Sequence, residues 1–332
     1  IAALLAGAVA LPIRRERGSL AASTLAAALV AGGVALRGIE WTEPAGSPLR
    51  VSLLQGNVPQ NLKFADGGMQ LSQDAYLPLL AQAAPADLIV LPESVFPLPL
   101  SHLPEHVVEA LAAVPRGGTA LIFGIFIEEP GGQYFNSAVG FSPDGGAPQR
   151  YSKRHLVPFG EFIPWGFRWF VDLMRMPIGD QQRGGAYQPP MRLAGQRIAV
   201  NICYEDLFGA EIRAAWRDPA QAPTLLLNLS NLGWFDDSLA LPQHLQISRL
   251  RALETGRPVL RATNTGATAI VDARGHVVAQ LPFLTRGVLS GEVRGHAGMT
   301  PYLRWGDAPA LIAIGLGLFG ALAASGRADR SR

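Results

Sequence analysis

Three side chains in this sequence stand where a reactive group is useful. Cys203 is the one cysteine in 332 residues, so it has no partner for an internal disulfide and must be there for another reason. It follows Arg-Ile-Ala-Val-Asn-Ile, a run that reads as a buried strand, and a helix is expected to open at about Gly209. Glu93 occupies the same kind of place, directly after Asp-Leu-Ile-Val-Leu-Pro. Strand ends are where α/β folds collect functional groups. A thiol at such a turn becomes nucleophilic when a cation, a helix N-terminus or a general base favours its thiolate, and Glu93 is the candidate base. Lys153 lies in Tyr-Ser-Lys-Arg-His-Leu-Val-Pro-Phe-Gly-Glu-Phe-Ile-Pro, residues 151–164, a segment much too apolar for an ordinary basic surface loop. A fixed positive charge in a dry site can hold a developing oxyanion.

Taken singly, each residue has an ordinary explanation. A lone cysteine is commonly a small buried hydrophobe, a glutamate after a strand caps a helix or pairs with a cation, and Lys153 and Arg154 are of the type usually solvated. His155 and His244 are rival bases, since a Cys-His pair is the commoner way to activate a thiol, but neither follows a strand. No spacing of His, Cys and acidic residues matches a zinc site. No Gly-rich phosphate loop follows a strand, and the basic residues form no nucleic-acid patch, so no metal, cofactor or nucleic acid is expected.

The elements that must position these groups read as an alternation. Apolar runs at Arg50 to Gln55, Asp87 to Leu91, Ala120 to Ile127, Arg197 to Ile202, Thr224 to Asn228 and Thr268 to Asp272 are strand-like. Met69 to Ala84, Pro104 to Val114, Gly209 to Asp218 and Pro242 to Thr255 are helix-like. The pattern is that of an α/β domain, and no repeat or Pro-rich linker divides it.

Composition sets this domain between two apolar ends. The chain is 48% hydrophobic and 16% charged, with net charge +2, against about a quarter charged in an ordinary soluble domain. No charge interrupts Ser19 to Leu36 or Ala308 to Ala324, each just long enough to span a bilayer core. Their Ala and Gly content suits helices packed against other helices, and neither shows the polar stripe of a helix lying on a globular domain. Arg14, Arg15 and Arg17 precede the first, while Arg327, Arg330 and Arg332 follow the second, which would put both basic ends in the cytoplasm. The expected organisation is then the end of a truncated membrane helix at 1–13, a cytoplasmic loop at 14–18 and a span at 19–36. A catalytic domain follows at 49–294 on the opposite, periplasmic face, then a span at 308–324 and a cytoplasmic tail at 325–332.

Glu93, Lys153 and Cys203 in this order, with Pro-Glu after one strand and Cys-Tyr-Glu after another, resemble the Glu-Lys-Cys triad of the nitrilase superfamily, or carbon-nitrogen hydrolases. Within it, the segment 151–164 is similar to the lysine segment of apolipoprotein N-acyltransferases. So are Asn-Leu-Ser-Asn-Leu-Gly-Trp-Phe at 228–235, Gln243, His244, Arg-Ala-Leu-Glu-Thr-Gly-Arg-Pro from Arg251, Thr263 to Gly266, and Thr300, Pro301 and Tyr302. Leu232 departs from the pattern, since some relatives carry an acidic residue there. The resemblance implies a four-layer αββα sandwich flanked by transmembrane helices in a bacterial inner membrane.

It also implies a reaction without a cofactor. A fatty acyl chain would pass from a phospholipid to Cys203 as a thioester, then to the N-terminal amino group of a diacylglyceryl-cysteine apolipoprotein, with Glu93 as base and Lys153 at the oxyanion. Glu161 and Glu205 would support these groups, and Asn231, Trp234, Phe235, Trp165 and Trp169 are candidates for substrate or lid contact. Phe162 to Met176, where Trp169 and Phe170 stand close to Arg168 and Arg175, reads either as an interfacial segment or as an amphipathic helix on the core. The rival functions are a nitrilase-type amidase acting on a small amide, which the apolar ends disfavour, and a non-catalytic lipid-binding membrane scaffold, which the complete triad disfavours.

Overall fold

The computed structural model describes residues 19–36, 38–83, 85–163, 165 and 181–329. The chain divides into two compact units, Ile1–Glu43 and Pro44–Arg332. In the first, residues 19–36 form a helix, Ser19–Leu36.

The second unit is built on two six-stranded sheets. One carries β1 (Leu49–Gln55), β2 (Leu88–Val90), β3 (Ala120–Glu129), β4 (Gln133–Phe141), β5 (Gln149–Ser152) and β12 (Gly287–Val293), in the order β12-β1-β2-β3-β4-β5. The other carries β6 (Met191–Leu193), β7 (Gln196–Ile202), β8 (Leu225–Ser230), β9 (Val259–Thr263), β10 (Ala269–Val271) and β11 (Val277–Gln280), in the order β11-β10-β9-β8-β7-β6. Each sheet has a parallel centre, β1 with β2 and β3 in one, β7 with β8 and β9 in the other, and antiparallel edges. Parallel strands must be covered on both faces, which is why these central runs are continuously apolar instead of alternating.

Three apolar clusters give the layering. The inner faces of the sheets meet through Val51, Leu53, Val90, Ile122, Ile198, Val200, Leu227 and Leu260, a core with no helix in it. Helices Gly68–Gln82 and Glu105–Arg116 cover the outer face of the first sheet through Tyr76, Leu79, Val107 and Leu111. Helix Ala240–Thr255 and the segment around Trp216 cover the second through Leu245, Ala252 and Ile212. The expected αββα sandwich is therefore present.

Two expectations change. The helix anticipated from Gly209 to Asp218 is a short helix, Gly209–Arg213, followed by a 3-10 turn, Ala214–Trp216, that drives the Trp216 ring into the core. Both anticipated spans are helices, and the second runs from Ala308 to Asp329, through the first part of the anticipated tail. A crossing does not follow from that, because among the described residues no helix is long and apolar enough to cross a membrane. Alanine and glycine, frequent in both, contribute little apolar surface per residue. The segments 1–13 and 14–18, and Trp169 with most of 162–176, lie outside the described residues.

Candidate functional site

The three reactive residues are brought together at the ends of strands. Glu93 follows β2, and the next residue, Ser94, has a left-handed backbone with φ 48°. Beneath this turn passes Gly124 of β3, where a Cβ would lie 2.6 Å from the Glu93 Cα, so only glycine permits the close approach. Lys153 follows β5, its amide donating to the Asn136 carbonyl at 2.7 Å. Cys203 follows β7 and is itself left-handed, with φ 57°. Such a conformation at a non-glycine residue costs about 1 to 3 kcal/mol and persists only where the surroundings impose it.

The surroundings do impose it. One oxygen of the buried Glu205 carboxylate accepts the Ile202 N–H at 2.7 Å and the Tyr151 hydroxyl at 2.9 Å. The other accepts the Arg154 and His155 N–H groups at 2.7 and 2.9 Å. A single carboxylate thus ties the turn holding Cys203 to the loop holding Lys153. From the other side the Asn228 amide donates to the Cys203 carbonyl at 2.8 Å, and Asn228 is oriented by the fully buried Arg261, whose Nη1 donates to it at 2.7 Å.

Lys153 is 1% exposed and bridges two carboxylates, Glu161 at 2.7 Å and Glu93 at 3.3 Å. The Asn136 amide donates to the same pair, to Glu93 at 2.8 Å and to Glu161 at 3.1 Å. The remaining oxygens are also occupied: Asn231 N–H donates to Glu93 at 2.9 Å, and Val157 N–H to Glu161 at 2.8 Å. Burial works against the Lys153 charge, but Glu93, Cys203 and Glu161 outweigh it and hold the ammonium above the usual lysine range. Burial pushes the Cys203 thiol up to about 12, Glu93 adding to the rise and Lys153 opposing it. The resting nucleophile is a thiol, so its proton has to leave to a base as the sulfur attacks.

Glu93, Lys153, Glu161, Glu205 and Cys203 therefore converge as the sequence suggested, and Asn136 is the member that sequence reasoning missed. The sequence offers only an asparagine within Tyr-Phe-Asn-Ser-Ala-Val-Gly, the otherwise mostly small and apolar β4, and the structure shows it buried. His155 instead stacks on Phe208, 3.7 Å between ring centres, and pairs with Glu211 at 3.2 Å. His244 lies 3.7 Å from Asp206 within a buried group that includes Arg261 and Ser248.

An open cleft of about 580 Å³, lined by Asn57, Gln60, Gly233, Trp234, Asp236 and Thr265, lies beside this cluster. Asn231 is buried behind the lining residue Gln60, with which its side chain pairs, and it accepts from Asn264 at 2.8 Å. Leu232 is also buried and left-handed, φ 54°, and it turns the loop so that Trp234 and Phe235 come out 74% and 45% exposed. Trp165 is 98% exposed. No group of His, Cys, Asp and Glu among the described residues could hold a metal ion.

Two sheets face to face, helices outside, and a buried glutamate and lysine beside a partly buried cysteine at strand ends define a nitrilase-type sandwich with a thiol centre. Residues 33–302 match the carbon-nitrogen hydrolases, and the chain belongs to that family. It is 50% identical over 329 residues to the apolipoprotein N-acyltransferase of Ralstonia nicotianae, covering 99% of this chain and 62% of that protein. It is 46% identical to the enzyme of the same name from Bordetella bronchiseptica, covering 95% and 61%. The chain thus spans somewhat under two thirds of the length of these relatives. Among solved structures, an amidase from Nesterenkonia superposes with TM-score 0.55 at 20% identity, covering 82% of this chain and 98% of that one. The NitFhit protein of C. elegans gives 0.58 at 19%, covering 75% and 61%; both likenesses concern the fold.

Proposed function

We propose that this chain is the catalytic part of an apolipoprotein N-acyltransferase, moving a fatty acyl chain from a phospholipid, through a thioester on Cys203, to the N-terminal amine of a diacylglyceryl-cysteine lipoprotein. The observation that carries the proposal is the buried Glu93–Lys153 pair converging with the partly buried Cys203, in a chain half identical to a protein of that name.

In the first half-reaction Glu93 takes the Cys203 proton while sulfur attacks the ester carbonyl, and the Lys153 ammonium faces the oxygen on which charge develops. Collapse breaks the ester C–O bond. The departing lysophospholipid oxygen receives the proton from Glu93, leaving the thioester. In the second, the amine nitrogen attacks the thioester carbonyl and gives a proton to Glu93, and collapse releases the amide and returns the proton to Cys203. Glu161 and Asn136 hold Lys153 and Glu93 in place, Glu205 holds the two loops together, and Trp234, Phe235, Trp165 and Trp169 are the substrate and lid contacts.

The seat of this chemistry is proposed as a bacterial inner membrane, with the catalytic unit on the periplasmic face. The support is the apolar side chains carried by the two flanking helices, exposed at Leu25, Leu29, Val30 and Val34 in one and at Leu311, Ile312, Ile314, Leu316 and Phe319 in the other, together with the basic residues outside them. Incubating the full-length protein with phospholipid vesicles and weighing it by mass spectrometry should find one acyl mass on Cys203, discharged by a diacylglyceryl lipopeptide. No acyl adduct, or discharge by water alone, would remove the transferase reading. Reporters after Arg332 and near Gly131 should fall on opposite faces, cytoplasmic and periplasmic.

A further inference from the structure

Lys63 is a charged residue that the mechanism above leaves unused. It is fully buried, and its Nζ has no hydrogen-bond partner among the described residues. An ammonium held away from water without a partner costs several kcal/mol, so its retention calls for a compensating role.

Its position suggests one. Lys63 ends a one-turn helix, Gln60–Lys63, and of its four residues Gln60 and Lys63 are the two that face inward. Gln60 pairs with the Asn231 side chain, and Asn231 N–H donates to Glu93. Three residues on, Lys63 therefore points to the same side, with the Phe64 ring 6.0 Å from its Nζ and Phe64 packed on Phe126. Burial depresses the Lys63 pKa to about 8, and the charge that opposes this is Glu93. The cluster also lacks a cation: Glu93 and Glu161 carry two negative charges against the single positive charge of Lys153.

We propose that Lys63 is a positioning residue of the catalytic cluster, a second buried cation that balances the Glu93–Glu161 pair and keeps Glu93 ionised as the base. With Lys63 charged, Glu93 and Glu161 are balanced by two lysines, and with Cys203 included that sum stays zero when the proton passes from Cys203 to Glu93; Glu205 stands outside the sum, held by its own four donors. Without Lys63 the same transfer takes place in a site carrying an uncompensated negative charge. Among the described residues, the charged and titratable groups around Glu93 are Lys63, Lys153, Glu161, Cys203 and, from the helix Ala240–Thr255, His244.

The inference deepens the acyl-transfer reading and rests on it for the choice of donor. Its test is the rate of acyl-enzyme formation on Cys203 of the full-length protein across pH, with phospholipid vesicles and with a neutral soluble ester. Lys63→Met should lower the plateau about tenfold with both donors and move the acid limb up by about one pH unit. Lys63→Arg should put the acid limb back and carry activity further into the alkaline range than the wild type, because arginine does not lose its proton there. An unmoved profile in Lys63→Met overturns the proposal. So does a loss confined to the phospholipid, which would make Lys63 a phosphate ligand instead. If Lys63→Met does not fold, Lys63→Arg decides alone, and an alkaline limb identical to that of the wild type overturns it. Absence of any acyl adduct in the wild type with either donor would instead count against the transferase reading, and then the profile is followed by Cys203 alkylation.

Discussion

Lys153 lies closer to Glu161, at 2.7 Å, than to Glu93, at 3.3 Å. The shorter contact makes Glu161 the principal counterion and leaves the proposed base less tightly committed to the ammonium. Glu161→Gln removes that counterion, and Lys153 should then close on Glu93 and quench its basicity. Acyl-enzyme formation should fall by about 10² or more with the fold intact, a size typical of a lost electrostatic contact in a dry site. Near wild-type single-turnover rates in Glu161→Gln would mean that Glu93 and the backbone hold Lys153 in place without it.

The left-handed Cys203 gives a stability test separate from activity. Both Cys203→Ala and Cys203→Gly abolish the thioester, but alanine keeps the unfavourable φ of 57° while glycine adopts it freely. Cys203→Gly should therefore be more stable than Cys203→Ala by about 1 kcal/mol, the reverse of the usual order for this pair. Denaturant unfolding measures the difference, and an alanine variant equal to or above the glycine one would show that the turn relaxes without the thiol.

Glu205 accepts four donors on two oxygens, from Tyr151, Arg154, His155 and Ile202. Glu205→Ala leaves all four unsatisfied at a buried place and should cost about 3 kcal/mol or more. Burial raises the Glu205 pKa, while the N–H groups of His155, Ile202 and Arg154 counter that rise, so the hydrogen-bonding geometry is what fails in the variant. An unchanged unfolding midpoint would refute the shared anchor.

His244 predicts an acid limit. Burial, with Arg261 nearby, lowers its pKa from 6.5 to about 4, so the folded protein binds that proton less well than the unfolded chain. The stability it contributes is complete above 6.5 and is lost as the pH falls toward 4, about 3 kcal/mol in all. His244→Gln should flatten this part of the stability curve. If the wild type and His244→Gln lose stability in parallel between pH 6.5 and 4, the group that titrates is another.

Glu93 and Cys203 are legible in the sequence because each follows a strand with a strongly apolar run, and the parallel centre of each sheet demands such runs. Lys153 is legible for another reason, the apolar company it keeps at 151–164. Apart from Val259–Thr263 at the centre of the second sheet, the strands that the sequence does not announce lie at or near the sheet edges. Gln133–Phe141 begins with a polar residue, Gln149–Ser152 has scarcely any apolar ones, and Gly287–Val293 is interrupted by Ser290, Gly291 and Glu292. Asn136 sits on one of these, which is why its part in the site is hidden in the sequence. Lys63 is hidden differently: a lysine after Gln-Asn-Leu reads as a solvated helix end, and nothing local says that Gln60 turns the same face toward Glu93. The two flanking helices are legible as helices, although among the described residues no helix is long and apolar enough to cross a membrane.

The exposed Trp234 bears on how a lipid would reach the Cys203 thiol. Leu232 anchors the loop from below, Trp234 lines the cleft, and Phe235 and Leu239 lie exposed beside it, so the apolar rings are presented outward at the cleft instead of sealing the core. Exposed tryptophan of this kind favours a membrane interface, and under the proposed acyl-transfer reading a phospholipid ester has to leave the bilayer to meet Cys203. Trp234→Glu should therefore reduce acyl-enzyme formation from vesicles by about tenfold or more while leaving transfer from a short-chain soluble ester within about twofold, since a charge opposes insertion but does not touch the cluster. The unfolding midpoint should stay put, because the ring contributes little to the core. A loss of equal size on both donors would place Trp234 in the acyl pocket proper, and an accompanying drop in stability would place it in the packing of the loop.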